Sequence, residues 1–142
     1  MQLEIRNLSK RFGNVIVADG LDLTVSPNQA LGIVGPNGAG KSTLFSMISG
    51  DLDPDKGTVL LDGADVTRKR ADVRAAHGVG RTFQIPRPFE GLTVFENVLV
   101  FATAAAGLRK DEANRLAASS LERCGLGDLA NQPAGALGLL VG

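Results

Sequence analysis

The sequence predicts an α/β fold, and three observations carry that prediction. Leu3 and Ile5 alternate with Glu4 and Arg6, and Leu21, Leu23 and Val25 alternate with Asp22 and Thr24, the period of two expected of half-buried strands. Leu31-Gly32-Ile33-Val34 is instead a continuous apolar run, as expected of a central strand covered on both faces. Helical spacing then recurs, at Leu44, Met47 and Ile48 and again at Ala113, Leu116, Ala117, Leu121 and Cys124. Strands mixed with helices around one buried strand make an α/β sheet.

Taken in order, the two alternating segments form strands in a sheet with one wet face, and Pro27-Asn28 marks a turn after them. The apolar strand at 31–34 runs straight into a glycine-rich loop, Gly35 to Gly40, and a helix follows. Gly50 ends that helix in the left-handed conformation that glycine adopts cheaply. Asp53 to Gly57 is a turn, Thr58 to Leu61 a short strand, and Val79 to Gln84 a further candidate strand. Two prolines make Ile85 to Pro88 an irregular loop. Thr93-Val94-Phe95-Glu96 has the Thr-x-x-Glu form of a capping box and opens a helix to about Ala106, stopped by Gly107. Asp111 to Cys124 is a second helix, with acids first and Arg123 last to match the helix dipole, closed by Gly125.

Composition bounds what such a chain does. The 142 residues suit one domain or part of a larger one, and 44% are hydrophobic, which argues against a disordered chain. Its 15 Lys and Arg cancel 15 Asp and Glu, so no global field draws it to nucleic acid or anionic lipid. A single cysteine, Cys124, excludes an internal disulfide framework and fits a reducing compartment. Met1 to Arg6 carries charges where a signal peptide has an apolar run. The weakly polar stretch Val98 to Leu108 is far shorter than the roughly 20 residues of a membrane span. A cytoplasmic chain is expected.

Glycine is the compositional excess, 18 of 142 residues, where about 7% is usual. Its placement matters more than its number. Gly35-Pro36-Asn37-Gly38-Ala39-Gly40-Lys41-Ser42 fits G-x-x-x-x-G-K-[ST], the phosphate-binding loop. A polyphosphate concentrates negative charge, so its site needs many donors converging on a small volume. Glycines at 35, 38 and 40 let the loop wrap tightly and turn backbone N–H groups inward. The helix starting at Lys41 adds its free N–H groups and the positive end of its dipole. Lys41 reaches the β- and γ-phosphates, the Ser42 hydroxyl is a hard oxygen ligand for Mg²⁺, and Thr43 is placed for the α-phosphate.

Read with Thr43 and the strand before it, this loop closely resembles that of the nucleotide-binding domain of ABC transporters. The resemblance runs from Leu3 to about Leu137. Gly80-Arg81-Thr82-Phe83-Gln84-Ile85-Pro86-Arg87-Pro88-Phe89, followed by Leu92 to Val98, narrows it to the ATP-binding subunits of branched-chain amino-acid importers and their urea and amide relatives. The resemblance implies a P-loop NTPase fold across residues 1–142, incomplete at its carboxyl-terminal side. It implies ATP and Mg²⁺ as cofactors. Gln84 becomes the glutamine that senses Mg²⁺ and the attacking water, and Phe12 the aromatic that stacks on adenine, needing only a flat π-face. The loop from Gln84 to Phe89 is expected to meet a membrane-spanning permease subunit. A second ATP-binding subunit is expected to share the nucleotide, and the chain to lie on the inner face of the plasma membrane through the permease. No nucleic acid is expected.

Hydrolysis needs more than a cradle. The family supplies an apolar strand ending in Asp-Glu and a later histidine, after a Leu-Ser-x-Gly-Gln signature. Val59-Leu60-Leu61-Asp62 follows the loop too soon and continues with Gly63, so it belongs to a peripheral antiparallel strand instead. The signature position reads Leu137-Gly138-Leu139-Leu140, with glycine for the serine and leucine for the glycine. The 142 residues taken alone are therefore expected to bind nucleotide weakly and hydrolyse it negligibly, and the lack of the Asp-Glu strand is expected to leave apolar surface beside the loop exposed. A kinase built on the same loop, with Arg81 or Arg87 in its lid, and a non-catalytic docking module remain open alternatives. The bland readings are a solvated basic face at Arg68, Lys69, Arg70, Arg74 and Arg81, a surface or structural His77, and a Cys124 packed on the apolar side of its helix.

Overall fold

The computed structural model describes residues 1–36, 40–83, 85 and 87–137. The chain falls into two compact units, Met1–Arg81 and Thr82–Gly142.

In the first unit, β1 (Leu3–Phe12) and β2 (Val15–Val25) form an antiparallel hairpin closed at Phe12 and Val15. β3 (Lys56–Leu61) pairs with the other edge of β1, and β4 (Ala64–Asp65) pairs with β3, giving the order β2-β1-β3-β4. Every pairing is antiparallel. The strand at 58–61 thus begins two residues earlier than its apolar pattern indicates, and it is the peripheral antiparallel strand expected there. Ile5 and Leu8 stand three apart yet both are buried, because the ladder shifts register between them, where Asn7 takes φ 48°.

One face of this sheet is covered by α1 (Lys41–Ser49), which lays Leu44 and Met47 into the same cluster as Ile5, Leu8, Val59, Leu61 and Val66. The predicted helical face is therefore the packed one. A short helix, α2 (Ala71–Ala76), follows; no sequence pattern had marked it.

The second unit carries α3 (Val94–Ala104) and α4 (Lys110–Arg123), packed on each other. Thr93 and Glu96 make both halves of the predicted capping box. Gly107 and Gly125 stand after the two helices with positive φ. Ala102, Ala113 and Ala117 are buried, and side chains this small let two helices approach closely. The segment after α4 returns to the start of α3: Phe95 and Val94 donate N–H to the carbonyls of Ala130 and Gln132, at 2.8 and 2.9 Å.

Four expectations are corrected. Leu31 to Val34 lies in no strand, and Val34 is 95% exposed. A central strand exists only if strands flank it, and the described residues supply none beside this one. Val79 to Phe83 likewise lies in no strand, and Gln84, the last residue of that candidate strand, is outside the described residues. Cys124 is exposed, because the helix has already ended at Arg123.

The fourth concerns the basic residues. Arg68 and Arg70 are solvated, as expected, but Arg74 is fully buried. Its guanidinium donates to the carbonyls of Met47 (2.6 Å), Ile48 (3.0 Å), Thr67 (2.8 Å) and Lys69 (2.9 Å). Met47 and Ile48 are in the last turn of α1, where carbonyls lack helical partners and carry the negative end of the dipole. Arg74 therefore caps α1 through tertiary contact. Burial lowers its pKa, yet a guanidinium stays protonated. Arg81 reaches the same helix end, bonding Ser46 and Ser49 hydroxyls at 3.1 Å each and Asp51 at 2.9 Å. Gly50 is required here twice over: its φ is +89°, and a Cβ would meet the Arg74 Nε at 2.8 Å.

Candidate phosphate-binding site

The loop motif ends where α1 begins. Gly40 is the N-cap, with φ 86° and ψ 0°, and no side chain caps the helix. A Cβ on Gly40 would overlap the Val17 carbonyl of β2, so the loop's last turn lies directly on the hairpin and only glycine fits. Leu44 N–H bonds the Gly40 carbonyl at 2.9 Å, starting the helical ladder. The N–H groups of the first turn have no acceptor within the helix. That turn also carries no acidic side chain, so nothing in it offsets the positive end of the dipole.

Lys41 is the first residue of α1, and its side chain turns back over the loop. Nζ donates to the carbonyls of Gly35 and Pro36, the latter at 2.6 Å. The ammonium is thereby held over the loop's own entry by neutral acceptors. Phosphate oxygens are stronger partners for it, because both groups are then charged. Ser42 is exposed and Thr43 half-buried; the Ser42 carbonyl accepts from the Ser46 hydroxyl at 2.9 Å. Gly35, Pro36, Gly40, Lys41, Ser42 and Thr43 are thus gathered at one helix end. Asn37, Gly38, Ala39 and Gln84 lie outside the described residues.

Beside the loop, a cavity of about 280 Å³ is lined by Val17, Leu21, Leu23, Ile33, Lys41 and Leu44 among others. It is mostly apolar and adjoins the unpaired 31–34 segment. Val34, in its lining, is exposed. Phe12, at the hairpin tip, is 49% exposed and is not a core residue.

In the second unit, Ile85 and Phe89 are exposed, and the Arg87 guanidinium sits 5.7 Å from the Phe83 ring centre. Asn97 clasps this loop. Its Oδ1 accepts the Phe89 N–H at 2.8 Å, and its Nδ2 donates to the carbonyls of Phe89 (3.1 Å) and Thr93 (2.9 Å). Sequence reasoning did not single out Asn97, although an asparagine one residue after a capping-box glutamate is placed to bond the chain before the cap. His77 is exposed, with Nδ1 2.8 Å from the Val73 carbonyl, as a surface residue would be.

A glycine-gated helix start with a lysine folded over the entering loop defines the class: a P-loop nucleotide-binding fold. The family model for ABC transporters matches residues 18–138, and the chain belongs to the ABC transporter family. It is 36% identical over 95% of its length to a branched-chain amino acid transport ATP-binding protein, BraF of Pseudomonas aeruginosa, spanning 58% of that protein. To LivG of Escherichia coli, described likewise, it is 34% identical over 93% of its length, spanning 57% of that protein. The phosphonates import ATP-binding protein PhnC of Alcaligenes faecalis is 39% identical over 95% of this chain and 52% of its own length. The chain thus spans little more than half of these relatives.

Solved structures agree on the fold. A nucleotide-free ATP-binding cassette of an ABC transporter superposes with a TM-score of 0.77 at 32% identity, covering 97% of this chain and 60% of the other. An ADP-bound cassette gives the same TM-score and identity, covering 97% and 59%. The α/β, P-loop architecture expected from the sequence is therefore the one the molecule has.

Proposed function

We propose that this chain is the amino-terminal portion of the ATP-binding subunit of an ABC importer, binding Mg–ATP through Gly35 to Thr43. The observation that carries this reading is the position of Lys41, opening α1 with its ammonium folded onto the carbonyls of Gly35 and Pro36. The residues fit the group. Gly40 admits no side chain, the helix start is uncapped and free of acids, and Ser42 offers an exposed hard oxygen. When bound, the nucleotide supplies a transferable γ-phosphoryl group whose charge the metal helps neutralise. The chain's own contribution is binding and orientation. The loop and helix start receive the phosphates, Lys41 exchanges carbonyls for phosphate oxygens, and Ser42 with Gln84 holds the metal. Phe12 takes the base.

Branched-chain amino acids are the proposed cargo, since BraF and LivG both carry that description. The relative named for phosphonates import marks the margin of that reading, and urea or amides are the alternative. The partners proposed are a permease, met by the loop around Gln84 to Phe89, and a second ATP-binding subunit, with the assembly on the inner membrane face. Hydrolysis by these 142 residues alone is proposed to be negligible.

Replacing Lys41 with Ala removes the ammonium without touching the packed face of α1. Calorimetry is expected to show Mg–ATP affinity falling by about tenfold or more, with the thermal midpoint preserved. Equal affinity in the variant overturns the assignment. Transfer of the γ-phosphate to an added small-molecule acceptor would favour the kinase alternative instead.

A further inference from the structure

We propose that Lys10 is a positioning residue for the nucleobase, its ammonium anchored by Asp55 behind one face of the Phe12 ring so that the other face receives a purine. The inference rests on the reading of Phe12 given above and adds to it the group that orders the ring.

Lys10 and Phe12 stand two residues apart near the end of β1. The Lys10 Nζ lies 5.6 Å from the centre of the Phe12 ring. A lysine at a strand end ordinarily extends its ammonium into water. Here the side chain is only 14% exposed, and Nζ meets Asp55 Oδ1 at 2.9 Å. Asp55 is itself tied to the same strand. Its Oδ2 accepts the Arg11 N–H at 2.8 Å, and its own N–H donates to the Ser9 carbonyl at 2.9 Å. Carboxylate, ammonium and ring thus form one stack on the strand end. The Lys10 contact, with the Arg11 N–H, also holds the Asp55 carboxyl below the usual carboxylate range.

Phe12 nonetheless stays 49% exposed. The cation draws on the π-density of one face, which leaves the ring electron-poor and a better partner for an electron-rich purine. A ring already held in place also loses less side-chain freedom when the base arrives. Such a stack recognises a flat aromatic surface. It contributes to affinity for a purine nucleotide without reading hydrogen bonds on the base edge.

The test compares Mg–ATP with Mg–tripolyphosphate, which shares the phosphates and lacks the base, by calorimetry on this 142-residue chain. The ratio of the two affinities reads the nucleoside, and its change from one variant to the next reads the base stack, since ribose and charge are the same throughout. Phe12→Ala is expected to lower that ratio, and by more than any change at Lys10 does. Lys10→Met keeps the stem and removes the charge, and is expected to lower the ratio about threefold. Lys10→Arg restores it, and Asp55→Asn, which frees the ammonium, lowers it. Tripolyphosphate affinity stays constant throughout.

A Lys10→Met ratio equal to that of the parent, with Phe12→Ala still lowering it, overturns the role of Lys10 and leaves Phe12 standing. A ratio that Phe12→Ala does not move overturns both, while the phosphate loop stands on tripolyphosphate binding. Parallel loss of both ligands in Lys10→Met marks a merely structural residue and also overturns the proposal. Should Lys10→Met not fold, Lys10→Arg and Asp55→Asn decide the matter by the same ratio.

Discussion

Arg74 is the residue on which the first unit most depends. Four buried or partly buried carbonyls share one guanidinium, and among the described residues no other charge is buried so completely. Removing a buried charged donor leaves its acceptors desolvated and unpaired. Arg74→Met is therefore expected to destabilise the chain by about 3 kcal/mol, read as a lower midpoint in urea. A midpoint within error of the parent would show that the α1 carbonyls find other partners. Lysine is not an adequate substitute, because a single ammonium cannot reproduce the planar fork. Glu96 gives a pH-dependent counterpart at this scale. The backbone N–H of Thr93, then its hydroxyl, hold the Glu96 carboxylate below its ordinary pKa. Such a group contributes stability that is complete above the value it has in the unfolded chain. That contribution is lost as pH falls through the lower, folded value. The protection factor against hydrogen exchange at the start of α3, which removes the intrinsic pH dependence of exchange, is expected to fall on acidification in the parent. In Glu96→Gln that acid-dependent step is expected to be absent.

At the scale of elements, α3 is built from both sides of its amino terminus. The capping box satisfies the helix itself, and Asn97 ties the preceding loop to it through both the N–H and the carbonyl of Phe89. Asn97→Ala is expected to cost about 1–2 kcal/mol. It should also speed amide exchange at Phe89, with the exchange in α4 little changed. Uniform acceleration across the second unit would mean that Asn97 supports the helices rather than the loop. α1 is organised the opposite way. Its amino terminus is left open, free of caps and acids, whereas its carboxyl terminus is closed by Arg74 and Arg81. The open end is the proposed phosphate site, and the closed end holds the helix in place.

Across the whole molecule, the antiparallel sheet and α1 make a packed core, while the 31–34 segment offers apolar side chains to solvent. Val34 is 95% exposed and Leu31 44% exposed, beside a mostly apolar cavity. Extended, unpaired apolar backbone invites association with another chain. Light scattering is expected to show concentration-dependent self-association of this polypeptide. Val34→Glu is expected to reduce it without lowering the melting temperature. Association unchanged by Val34→Glu would move the sticky surface elsewhere, for which Phe101 at 66% exposure is the next place to look.

What the sequence determined by itself is local. The turn at Pro27-Asn28, the Thr93 capping box, the glycine stops and the helix start at Gly40-Lys41 are all legible because a few adjacent residues carry their own chemistry. The α/β class is legible for the same reason. Tertiary structure decided everything that depends on distant partners. Leu31 to Val34 reads as a buried strand, yet pairing is a property of neighbours, and among the described residues none lies alongside. Arg74 reads as one more solvated cation, yet the unsatisfied carbonyls of a helix end some 26 residues earlier draw it inside. Neither result is visible in a window of sequence, because hydrogen-bond satisfaction and burial are settled between segments that only folding brings together.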